Sequence, residues 1–102
     1  MVRYRVKPGR EAENEKYIQA VFAELAEKSP PGIRYASFKQ PDGVSFVHIA
    51  FVEAAENPLL ALATFKEFTS TIKDRCEEPP VSTDLQVVGS YGLTSPASPA
   101  RL

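Results

Sequence analysis

The segment Val44-Ser45-Phe46-Val47-His48-Ile49-Ala50-Phe51-Val52-Glu53 is apolar on both sides of a two-residue period. Val47, Ile49 and Phe51 fall on one side of such a strand, and Phe46, His48, Ala50 and Val52 on the other. A sheet with one face on the core and one in water alternates apolar with polar residues. Here both sides need cover. With each Å² of exposed apolar surface worth about 25 cal/mol, several such side chains left in water are a substantial cost. The chain's own helices can serve one face only. The expectation is that a second copy covers the side carrying Phe46 and His48, through an isologous contact between two sheets.

Upstream, Ile33–Gln40 is a second strand-like run, and Pro41-Asp42-Gly43 joins the two as a hairpin. At the start of the chain Val2, Tyr4 and Val6 alternate with Arg3, Arg5 and Lys7, a strand that Pro8-Gly9 ends. From Glu11 the period changes. Ile18, Val21, Phe22 and Leu25 mark one helix face, with Glu11, Glu13 and Glu15 at the start and Lys28 near the end. Ser29-Pro30-Pro31-Gly32 stops that helix. Asn57-Pro58 has the form of a helix start, and Leu62, Phe65, Phe68, Thr69 and Ile72 supply the buried stripe of the second helix. Pro79-Pro80 then precedes a last strand expected around Asp84–Tyr91. The order is β-α-β-β-α-β, an α+β ferredoxin-like plan with two helices on one face of a four-stranded antiparallel sheet. Residues 1–93 are read as one domain and 94–102 as a flexible C-terminal tail.

Composition narrows the function classes. A chain of 102 residues holds one core, and 43% apolar with 25% charged residues is ordinary for a globular protein. A net charge of −1 offers no basic footprint for nucleic acid. The same strand order occurs in the RNA-recognition motif, but Val44 and Ile49 stand where its stacking aromatics belong. One cysteine forms no internal disulfide, and no metal-ligand spacing surrounds it or the one histidine. The charged N-terminus is unlike a signal peptide, and the longest strongly apolar run, 9 residues from Val44 to Val52, is far short of the about 20 that span a bilayer. A soluble, cytoplasmic protein without membrane or nucleic-acid partners is expected.

Four stretches carry a resemblance: Arg5-Val6-Lys7-Pro8-Gly9-Arg10-Glu11, Pro31-Gly32-Ile33-Arg34-Tyr35, Phe46 through Glu53, and Glu78-Pro79-Pro80. In order and spacing the chain resembles the antibiotic biosynthesis monooxygenase family of the dimeric α/β-barrel superfamily, over about residues 2–92. The resemblance implies a homodimer whose two sheets face each other, with a pocket in each subunit. It further implies a small monooxygenase acting on an aromatic, quinol or polyketide-like substrate without metal, flavin or other cofactor. Several family members carry a Glu and a Trp on the third strand, where this chain has Ala50 and Val52; the alternative is a non-catalytic ligand-binding or accessory homodimer of the same fold.

His48 is the candidate catalytic residue. Its near-neutral ordinary pKa suits a general base, and burial favours the neutral imidazole that a base needs. Arg5, with Arg3 on the same face of the first strand, is a candidate to steady an anionic enolate or phenolate. Arg34 and Tyr35 point to opposite faces of their strand, whose phase the sequence leaves open. Arg34, Phe46 and Tyr91 complete the expected substrate-binding set, around a small hydrophobic or aromatic ligand. Cys76, followed by Glu77 and Glu78, lacks the electropositive surroundings of a nucleophile.

Overall fold

A computed structural model describes residues 1–93. The elements are β1 (Val2–Val6), α1 (Glu11–Lys28), β2 (Ile33–Lys39), β3 (Ser45–Val52), a 3-10 turn at Pro58–Ala61, α2 (Ala63–Arg75) and β4 (Cys76–Ser82). The sheet runs β2-β3-β1-β4 with every neighbouring pair antiparallel, an arrangement compatible with the ferredoxin-like plan. The tail expected over 94–102 lies outside the described residues. None of the described helices is long and apolar enough to cross a membrane.

Register decides which side of the sheet meets the helices. Val2 stands opposite His48 and Tyr4 opposite Phe46, so these four share a face. Tyr4, Val6, Phe46 and His48 are buried there, against Val21 of α1 and Phe68 and Ile72 of α2. The expected assignment of Phe46 and His48 to the uncovered side is therefore corrected. Val47, Ile49 and Phe51 take the open side, in register with Arg3, Ala36, Phe38 and Arg34. The reason lies in β1. Its apolar residues must meet the helices, and pairing carries Phe46 and His48 with them.

Local chemistry fixes the connections. Asp42 accepts hydrogen bonds from the N–H groups of Val44 (3.0 Å) and Ser45 (2.8 Å), which shapes the hairpin turn. Gly32 sits at φ +82°, and a Cβ there would lie 2.7 Å from the Cβ of Ala54; glycine is required on both grounds. Asn57 caps the 3-10 turn by accepting from the N–H of Leu59 at 3.0 Å. The second helix begins later than the Asn57-Pro58 signal predicts, because Leu62 is extended and buried, and α2 starts at Ala63. Glu24 of α1 supplies the missing cap, accepting from the N–H (3.0 Å) and hydroxyl (2.6 Å) of Thr64.

The last strand is also corrected. It runs from Cys76 to Ser82, with no strand over Asp84–Tyr91. Pro79 and Pro80 are tolerated because β4 is an edge strand, where one row of N–H groups has no ladder to serve. Its pairing with β1 shifts register around Arg5. Beyond it, Thr83 and Met1 pair through their backbones. Leu85, Val87, Val88, Tyr91 and Leu93 are exposed on the single chain.

Candidate functional site

Between the helix-covered sheet face and α2 lies a cavity of about 330 Å³. Val2, Tyr35 and His48 line it from the sheet, and Phe65, Phe68 and Ile72 from the helix side. Its size falls at the lower end of small-molecule pockets, and a mostly apolar wall with a few convergent polar groups is their usual make-up. Two larger hollows, of about 550 and 480 Å³, are lined by more exposed chain: one by Arg3 and Glu78–Val81, the other by Thr83–Ser90 beside Ile49 and Phe51. Neither reaches His48.

His48 is the polar centre of the smaller cavity and is only 5% exposed. Its ring stacks on Tyr4 (centroids 5.3 Å) and lies 5.5 Å from that of Phe68. Nε2 is 2.7 Å from the Tyr4 hydroxyl, while Nδ1 is 2.8 Å from that of Tyr35 and 2.7 Å from Ser37 Oγ. Beyond Tyr4 the chain of bonds continues. Asn14 Nδ2 donates to the Tyr4 oxygen at 2.8 Å, and Arg75 Nε donates to Asn14 Oδ1 at 3.1 Å. Arg75 is wholly buried and, among the described residues, has no carboxylate partner in its hydrogen bonds. Its Nη1 donates to Thr71 Oγ1 (2.7 Å), and its guanidinium lies 4.3 Å over the ring of Tyr17. The remaining terminal nitrogen, Nη2, is buried without a hydrogen-bond partner among the described residues.

Burial governs the titrating groups. It pushes His48 down to about 4, so the imidazole is neutral at pH 7. Tyr35 is pushed up to about 12 and Tyr4 further, again by burial, so both hydroxyls keep their protons. With Nε2 held by Tyr4 and Nδ1 by Tyr35 and Ser37, a ligand's polar atom meets the ring by way of Tyr35.

The other expected site residues scatter. Phe46 is next to His48 in the core, stacked on Tyr4, and packs rather than lining the cavity. Arg5 lies on the open face 3.9 Å from Glu77, and Arg34 on the same face 3.9 Å from Glu53. Tyr91 is 99% exposed. None of these three lines the cavity. Cys76 is buried, and burial pushes its thiol up, away from nucleophilic character. No three His, Cys, Asp or Glu side chains gather as a metal set among the described residues.

Tyr4, Tyr35, Ser37, Asn14 and Arg75 were not among the expected residues, though two carried a readable signal. Asn14 continues the α1 stripe four residues before Ile18, and Arg75 continues the α2 stripe three residues after Ile72. A polar side chain on an apolar stripe is buried among partners or not at all. No family model, curated protein or solved structure matches the chain.

Proposed function

We propose that the cavity beside His48 binds a small aromatic, quinol or polyketide-like molecule, and that the chain is a small monooxygenase-like enzyme working without metal or flavin. The observation that carries this reading is a neutral imidazole set in the wall of an apolar chamber. The substrate's oxygen docks at the Tyr35 hydroxyl, which His48 backs. Against apolar walls, such a donor steadies negative charge on that oxygen. The substrate enters as the enolate or phenolate, its proton already lost to solvent, and this electron-rich anion reacts directly with dioxygen; the proton is regained from solvent as water is released. Overall, an activated CH2 and O2 become a carbonyl and one water.

The protein acts as a homodimer. The open sheet face presents Val47, Ile49 and Phe51, flanked by exposed Phe38 and Val81, and the exposed apolar residues of 85–93 adjoin it. A second copy covers this surface and closes the two sheets into a barrel.

Oxygen uptake with a panel of quinols and anthrone-like compounds tests the activity. Tyr35→Phe should lower the rate by about 10²–10³, the loss expected when a charge-stabilising donor is removed. A folded variant that keeps its rate refutes the assigned chemistry. One feature favours the accessory reading: both ring nitrogens are already bonded within the protein. Under that reading the panel binds without oxygen uptake.

A further inference from the structure

The bonds that run from Arg75 to the cavity have a direction, and that direction follows from counting hydrogens. Arginine only donates. The group facing Arg75 Nε must therefore be the amide oxygen of Asn14, which leaves the Asn14 NH2 facing Tyr4. The Tyr4 oxygen accepts that bond, and its own hydrogen goes to His48 Nε2. Nε2 is then an acceptor, and the neutral ring carries its hydrogen on Nδ1. The opposite order would aim two donors at the Tyr4 oxygen and leave the Tyr4 hydrogen buried without an acceptor, which costs free energy.

At the far end Nδ1–H, the Ser37 hydroxyl and the Tyr35 hydroxyl hold three hydrogens. Nδ1 has no lone pair to receive one, so both hydroxyl hydrogens turn away from the ring. Tyr35 lines the cavity and Ser37 does not, so the spare hydrogen that faces the cavity is that of Tyr35.

We infer that Arg75 and Asn14 are positioning residues that set the polarity of the whole chain, and that the cavity selects a ligand with a hydrogen-bond acceptor at Tyr35: a ketone, quinone or phenolate oxygen rather than a neutral phenol. This deepens the proposed function and rests on the same cavity being the ligand site. The base expected at His48 is, at rest, a donor-polarised ring that receives an oxygen already lacking its proton.

Asn14→Asp tests the polarity. The carboxylate keeps the Asn14 shape, gains an ion pair with Arg75 and only accepts, so Tyr4 must donate to it. His48 then donates from Nε2, and Nδ1 becomes an acceptor that takes up the spare hydrogen. His48 is the chain's one histidine, so ¹⁵N NMR at pH 8 reads its tautomer without ambiguity. Wild type should show hydrogen on Nδ1, and Asn14→Asp should show it on Nε2. Hydrogen on Nε2 in the wild type, or an unchanged ring in the variant, overturns the inference. If Asn14→Asp fails to fold, Tyr4→Phe should give a mixture of tautomers; a ring held wholly in the Nδ1–H form overturns it equally. In binding, wild type should prefer 1-tetralone over tetralin by about tenfold, one hydrogen bond's worth, and Asn14→Asp should bring the two within about twofold. Equal binding by the wild type refutes the acceptor rule. None of these readouts requires turnover, so absent oxygen uptake bears on the proposed activity alone. Failure of both compounds to bind bears on the cavity as the ligand site, with the tautomer still deciding the polarity.

Discussion

Acidification from pH 7 to pH 5 should remove stability that depends on His48 staying neutral. The folded protein holds His48 near 4, through burial, against an ordinary value of 6.5. Between those values the unfolded chain binds a proton that the folded chain refuses, so stability falls as pH falls, by about 1.4 kcal/mol per pH unit. The loss begins near the ordinary value and is complete only below about 4. By pH 5 it amounts to about 2 kcal/mol, a large part of the stability of a small domain. The check is urea denaturation of wild type and His48→Gln at pH 7, 6 and 5. Subtracting the two curves removes the carboxylates common to both, among them Glu24, held to about 2 chiefly by Lys28. The wild-type advantage should shrink by about 2 kcal/mol over that range. A difference that stays flat, or a histidine titrating above pH 6 by NMR, would show that His48 is not buried as a neutral group.

Gly32→Ala should lower the Tm by about 10 °C in a thermal melt, since a left-handed residue and a clash with Ala54 together cost about 2 kcal/mol or more. A Tm within 2 °C or so of wild type would mean that the turn is differently built. Phe68→Ala should cost about 3–5 kcal/mol in denaturant melts, because Phe68 is buried between Tyr4, His48 and Phe65; a loss under about 1 kcal/mol would contradict that packing. Ile49→Glu, at the centre of the open sheet face, should convert a dimer to a monomer in sedimentation velocity with the far-UV spectrum retained. A dimer of undiminished affinity would move the interface elsewhere.

Much of the scaffold was legible in the sequence because it is written in periodicity and punctuation. Pro8-Gly9, Ser29-Pro30-Pro31-Gly32 and Pro41-Asp42-Gly43 bound the elements as their chemistry demands. The apolar stripes of both helices were readable from spacing, except that Thr69, expected in the second, is exposed, and Leu62 lies just before that helix. The last strand was missed because β4 carries Glu77, Glu78 and two prolines, and its strand character comes from pairing with β1 rather than from its own alternation. The phase of β3 was misread for a related reason. Both of its faces are apolar, and only the register Val2–His48 and Tyr4–Phe46 shows which one the helices cover. His48 was legible as the one histidine on an apolar strand. Its partners Asn14 and Arg75 lie 34 and 27 residues away in sequence, and only the fold brings them to one line of hydrogen bonds.

A crystal structure of the protein soaked with 1-tetralone tests the central claim most directly, namely that the chamber walled by His48 is where a ligand goes. The ring should lie between the sheet and α2, against Phe65 and Phe68, with its carbonyl oxygen about 3 Å from the Tyr35 hydroxyl. A molecule seated instead in the hollow along Thr83–Ser90, with the His48 chamber empty, would contradict the account.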